Sequence, residues 1–181
     1  MIPSMSLQTF KQTTYEGCLP VCLLSIAGIE INREKELILI QNGVSKCRDS
    51  YALSMILSFV EQYDTSINLY VDNKYFSNYL KLINNSTKVI IYYQPINEDF
   101  IFKQNNPFIL YVDMHDFGEY IHSPHFIIVE KQQGDVAIIV DSLTGKRTKM
   151  SKTKILDSVL SLKKRFLYAP LLITLKGNNY R

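Results

Sequence analysis

Three cysteines in 181 residues are too few, and odd in number, to build a disulfide framework. Seven glycines and six prolines stand singly, so the chain shows no linker, no low-complexity tract and no repeat. Long hydrophobic runs are missing too. The longest nearly uncharged apolar stretch, residues 19–29, has 11 residues and is too short to cross a bilayer as a helix. No basic segment precedes an apolar core at the N-terminus, so no signal peptide is expected and the cytoplasm is the default location. With 46% hydrophobic and 20% charged residues the chain is globular rather than disordered. A chain of this length buries about 70% of its unfolded surface, which is enough for one domain over residues 1–181.

Acidic residues are nearly absent from the last fifth. Residues 146–181 carry ten Lys and Arg and a single acid, Asp157, for a net of +9. The preceding 145 residues carry ten bases and sixteen acids, a net of −6. Such a basic end can hold nucleic acid or an acidic membrane surface. Lysine, however, outnumbers arginine 15 to 5, and arginine is the better planar phosphate clamp. The favoured reading is a solvated helix face plus a lysine-rich strand edge that discourages edge pairing, with no nucleic-acid partner.

The first third reads as helical. An apolar run over 18–27 ends at Gly28; a second helix over 33–41 follows Asn32 as N-cap and stops at Asn42-Gly43. A third, over 50–62, places Leu53, Ile56, Leu57 and Val60 at helical spacing. Strands are predicted over 68–71, 88–93, 107–112, 125–130, 136–140 and 166–175. Two further helices are predicted, over 75–83 with Asp72 as cap and over 151–164. Helices first and a mainly antiparallel sheet later is an α+β order.

The segment from Gln12 to Cys22 carries the strongest chemical signal. Pro20 fits only the first turn of a helix, so the helix begins close to Cys18, and Gly17 can supply unusual backbone angles at its entry. A thiol at a helix start faces unpaired N–H groups and the positive end of the dipole, which favours the thiolate. A buried structural cysteine is the plain alternative. Cys22, one turn on, reads as packed core, and Cys47 as a loop thiol. A base is offered by His125, which opens the strand 125–130. A three-residue loop, Gln132-Gln133-Gly134, returns the chain to 136–140 and Asp141. With Lys131 opposite Asp135, His125 falls opposite Asp141 on the same face, where a carboxylate fixes the imidazole tautomer. A bulge would shift this register by one residue.

The loop with Asp113, His115, Asp116, His122 and then His125 offers a rival metal site. It has no recognised ligand spacing, and no metal or other cofactor is expected.

Gln12, five residues, Cys18 and then Cys22 resembles the opening motif of the bacteriocin-processing cysteine peptidases, papain-like domains that remove double-glycine leaders. His125 leading an apolar strand, with Asp141-Ser142 beyond the hairpin and the strand 107–112 upstream, resembles their second motif. The resemblance covers about residues 12–145. It implies a papain-like fold with N-terminal helices packed on a mainly antiparallel sheet. It also implies Cys18 as nucleophile, His125 as base, Asp141 as its orienter and Gln12 as oxyanion donor beside the Cys18 N–H. The implied partner is a peptide or protein with glycine before the cut bond. Phytochelatin synthases show a similar Gln-to-Cys spacing and match less well around Asp141.

Three features depart from the family. Leu19 follows the nucleophile where the family has Gly or Ala, and a larger side chain there is expected to narrow the cleft or re-aim the thiol. The 107 residues from Cys18 to His125 imply an inserted segment around 69–106. No transporter or ATPase accompanies the domain, so it reads as free-standing. A non-catalytic peptide-binding module and an acyl or peptidyl transferase working through the same thioester remain open beside the hydrolase.

Overall fold

The computed structural model describes residues 7–118 and 121–176. Three helices open the fold: α1 (Cys18–Ile26), α2 (Arg33–Lys46) and α3 (Tyr51–Gln62). Every residue of α1 is buried, as fits a helix apolar on all sides. Asn32 and Ser50 cap α2 and α3, accepting from the backbone N–H of Lys35 and Leu53. The second helix does not stop at Asn42-Gly43 but runs on to Lys46. Gly43 is there for close packing: a Cβ on it would lie 2.3 Å from Met55 Cε of α3.

One sheet holds all seven strands in the order β2-β1-β7-β3-β4-β5-β6. They are β1 (Ile67–Val71), β2 (Val89–Tyr93), β3 (Phe108–Asp113), β4 (Pro124–Gln133), β5 (Val136–Asp141), β6 (Lys146–Ser151) and β7 (Leu171–Leu175). All neighbours are antiparallel except β1 and β2, which α4 (Lys74–Ile83) joins as a parallel pair. Asn73, not Asp72, caps α4, accepting from Phe76 N–H at 2.9 Å. Asp72 instead accepts from Lys163 Nζ at 2.9 Å. The segment 166–170 is not strand. α6 (Lys152–Phe166) occupies its start and ends at Leu167, whose φ of 55° turns the chain toward β7.

Alternation along the strands divides the apolar side chains between two layers. Ile109, Phe126, Ile128, Val140, Leu171 and Ile173 pack under α1, α2 and α3. Leu110, Ile127, Val129, Ile139 and Leu172 pack on the opposite side against Ile155 and Val159 of α6 and Ile101 of α5 (Glu98–Phe102). The fold is thus the papain-like α+β architecture, with N-terminal helices on a mainly antiparallel sheet and a second helical layer behind. At one sheet edge, β6 exposes its first four residues, Lys146, Arg147, Thr148 and Lys149, which is the lysine-rich edge foreseen from the charge pattern. Among the described residues no helix is long and apolar enough to cross a membrane.

Candidate active site

Cys18 is the first residue of α1, as Pro20 two places later requires. Gly17 does not enter the helix through unusual angles: its φ is −76° and its ψ −10°. The constraint is space. A Cβ on Gly17 would stand 1.9 Å from Glu36 Oε1. Glu36 is fully buried, and its carboxylate accepts from Thr13 N–H, Thr13 Oγ1, Thr14 N–H and Thr14 Oγ1 at 2.9–3.0 Å. Four donors from two successive residues satisfy the buried charge and fix the turn between Gln12 and Cys18. The sequence carried a signal for this: Glu36 shares its helical face with Leu39 and Gly43, a charge set in an apolar stripe.

His125 and Asp141 come from β4 and β5, but in a different register from the one expected. The loop is a two-residue turn, with Gln133 opposite Val136 and Gly134 at a φ of 57°. A bulge between Val129 and Lys131 then shifts the ladder, so that Asp141 lies opposite Ile127. Ile127 and His125 are two residues apart on one face, so the imidazole and the carboxylate meet as diagonal neighbours. His125 Nε2 lies 3.1 Å from Asp141 Oδ1. Asp141 is held by the turn that follows it: Leu143 N–H donates to Oδ1 and Thr144 Oγ1 to Oδ2, both at 2.8 Å.

Ser142 links these groups to Gln12. Its hydroxyl donates to Gln12 Oε1 at 3.0 Å and lies 3.3 Å from His125 Nε2. Because the single hydroxyl proton goes to Gln12, Ser142 Oγ accepts from Nε2–H. The proton therefore sits on Nε2, shared between Asp141 and Ser142, and Nδ1 is the nitrogen left for Cys18. Gln12 also donates its backbone N–H to Ser142 O at 2.7 Å. Its side-chain amide donates to Thr14 O at 2.9 Å and Tyr15 O at 3.2 Å, so both amide hydrogens are engaged.

The electrostatics follow from this arrangement. Burial pushes the Cys18 thiol up. A hydrogen bond to His125 and its charge, with hydrogen bonds from the Phe126 backbone and Tyr51, outweigh burial and bring the thiol below its ordinary value. Burial also works against the His125 cation, but hydrogen bonds to Asp141 and Cys18 hold it up to about 9. Asp141 is lowered despite its burial, through His125, Thr144 and the Leu143 N–H. Cys22, by contrast, is fully buried, which pushes its thiol well up. Cys47 is half-buried in the loop after α2, and all three cysteines are unpaired.

The thiol opens into a cleft of about 420 Å³ lined by Gln12, Tyr15, Tyr51, Tyr111, His125 and Phe126 among others. Leu19 does not line it. This side chain is fully buried with the rest of α1 and does not narrow the cleft. The histidine loop is divided: His122 Nδ1 pairs with buried Asp113 at 2.7 Å and His115 packs on the His122 ring, while His125 turns to Asp141. Among the described residues no group of three or more His, Cys, Asp or Glu is placed to hold a metal. Tyr51 and Glu36 are the site groups that sequence reading missed, and Ser142 entered it only as the residue after Asp141.

No family model matches the chain, and no curated protein matches it. Among solved structures it is similar to the peptidase domain of Streptococcus ComA, described as a bi-functional ABC transporter involved in a quorum sensing pathway. The match covers 94% of this chain and 98% of that domain, with a TM-score of 0.56 and 17% identity. At that identity the likeness concerns the fold, and the fold is that of a papain-like peptidase domain.

Proposed function

We propose that the chain is a cysteine peptidase, hydrolysing a peptide or isopeptide bond through a thioester on Cys18. The observation that carries this reading is Cys18 and His125 lining one cleft with Asp141 bonded to His125 behind it, the proton on Nε2 and Nδ1 left for the thiol. Likeness of fold to a peptidase domain supports it. A thiolate held beside an imidazolium needs no further activation.

In the reaction, Cys18 Sγ adds to the carbonyl carbon and the carbonyl π pair moves to oxygen. As that pair returns, the C–N bond breaks and His125 delivers its proton to the leaving amine. Water then adds to the thioester, giving its proton to His125. Collapse releases the acid and regenerates the thiolate–imidazolium pair. Asp141 keeps the ring oriented and its cation favoured throughout. A peptide with glycine before the cut bond is the substrate taken over from the family resemblance, and three unpaired cysteines suit a reducing compartment such as the cytoplasm.

Peptide mapping after iodoacetamide labelling at pH 7 tests the nucleophile. Cys18 is expected to alkylate faster than Cys22 and Cys47, and His125→Ala to slow Cys18 while leaving Cys47 unchanged. Equal labelling of Cys18 with and without His125 removes the dyad. A glycine-centred peptide library then tests the cleavage, and preference for bulky side chains before the cut bond removes the substrate assignment.

A further inference from the structure

One hydroxyl in the cleft has no part in the bond-making steps above, beyond its contact with the Cys18 thiol. Tyr51 is the first residue of α3, fixed there by the Ser50 cap, and its ring lies 6.4 Å from that of Phe126. Its Oη stands at the N-terminus of α1. There it donates to Glu16 O and lies 4.0 Å from Cys18 Sγ. A side chain from another helix therefore occupies the place where the carbonyl oxygen of a bound acyl group needs donors.

The resemblance gives that role to the Gln12 amide, but both hydrogens of this amide already serve Thr14 O and Tyr15 O. To reach an oxyanion, Gln12 has to give up one of those bonds. Tyr51 gives up its bond to Glu16 O, but by rotation of its O–H alone, with the ring left in place. A donor 4.0 Å from the sulfur leaves space for the oxygen of a tetrahedral adduct at the usual donor distance of about 2.7–3.1 Å.

We propose that Tyr51 is a catalytic residue: its phenol donates a hydrogen bond to the oxyanion formed when Cys18 adds to the carbonyl. The inference rests on the reading of Cys18 as nucleophile. As the Sγ–C bond forms and the π pair moves to oxygen, the phenolic hydrogen turns to that oxygen without being transferred. Burial, and then the negative charge of Cys18, push the phenol above its ordinary value, so it stays protonated and remains a donor. When the C–N bond breaks and the carbonyl re-forms, the hydroxyl returns to Glu16 O.

The test compares two reactions of the same thiol in the full-length chain. Iodoacetamide alkylates Cys18 by displacement and makes no oxyanion. The peptide aldehyde acetyl-glycyl-glycinal adds reversibly: the Sγ–C bond forms and the oxygen takes the His125 proton or is held by donors. In Tyr51→Phe the aldehyde is expected to bind about 10- to 100-fold more weakly. That is less than the roughly 10²–10³ that one donor contributes to a transition state, because the adduct oxygen carries less charge. Losing the Tyr51 hydrogen bond raises the Cys18 thiol, so alkylation is compared on its high-pH plateau, where the thiol is fully ionised in both proteins, and there it is expected to stay within about two-fold. If that plateau falls, the fold has been disturbed, and Tyr51→Met, which fills most of the space without a hydroxyl, carries the same comparison. Unchanged aldehyde affinity with Cys18 still reactive overturns the donor role alone. A wild-type Cys18 inert to iodoacetamide overturns the nucleophile and the donor together.

Discussion

Asp141→Asn separates charge from geometry in this site. An amide can keep its oxygen where Asp141 Oδ1 accepts from His125 and from Leu143 N–H, and its NH2 can face Thr144 Oγ1. What it loses is the negative charge beside the imidazolium. His125 is raised from 6.5 to about 9, and the hydrogen bond to Asp141 is the largest of the effects that raise it. If Asp141 supplies about half of that rise, the substitution lowers the His125 midpoint by roughly 1–1.5 pH units, or about 1.4–2 kcal/mol. The sequence holds three histidines, so His125 is readily assigned in an NMR titration of the imidazole C–H signals with a His125→Ala reference. The sign is fixed. A histidine whose folded value is raised contributes stability that is complete below about 6.5 and is lost as pH rises through about 9. In Asp141→Asn both that loss and the alkaline limb of kcat/KM move to lower pH. A midpoint within about 0.3 units of wild type would refute the claim that the carboxylate holds the cation, since that is under 0.5 kcal/mol.

Glu36→Ala removes the shared acceptor of four donors on exposed Thr13 and half-buried Thr14. It is expected to cost about 1–2 kcal/mol in urea unfolding, because water can replace part of the lost acceptor, and a loss under about 0.5 kcal/mol would show that the turn holds itself. Gly17→Ala drives a methyl group into the Glu36 carboxylate, so a destabilisation of about 1–3 kcal/mol is expected, partly relieved in the Gly17→Ala, Glu36→Ala double variant. Non-additivity in that cycle is the measurement, and strict additivity would place the clash elsewhere. Gln12→Ala is expected to slow turnover, by up to roughly 10²–10³ if its amide swings to the oxyanion, with the melting temperature showing little loss of fold. Unchanged turnover removes Gln12 from the chemistry and leaves it a bridge between Ser142 and the Thr14–Tyr15 turn.

Local chemistry made much of this protein legible in its sequence. Pro20 fixed the start of the helix that opens at Cys18, because proline is tolerated only in a helix's first turn. Asn32 marked a helix start by the same kind of local rule, and two apolar runs, 125–130 and 136–140, around a short glycine-containing turn placed His125 and Asp141 on neighbouring strands. Those rules depend on a residue and its near neighbours. The tertiary structure decided whatever depended on a distant partner. The β4 bulge moved Asp141 from opposite His125 to opposite Ile127, and the pair met only because side chains two apart share a face. Gly43 reads as a helix stop and Gly17 as a source of unusual angles at a helix entry, yet one makes room for Met55 and the other for Glu36. Leu19 looked like a cleft residue until burial of the whole helix turned it inward. Tyr51 gave no signal at all: its hydroxyl reaches Cys18 across 33 residues of chain, and only the packing of α3 beside the start of α1 brings the two together.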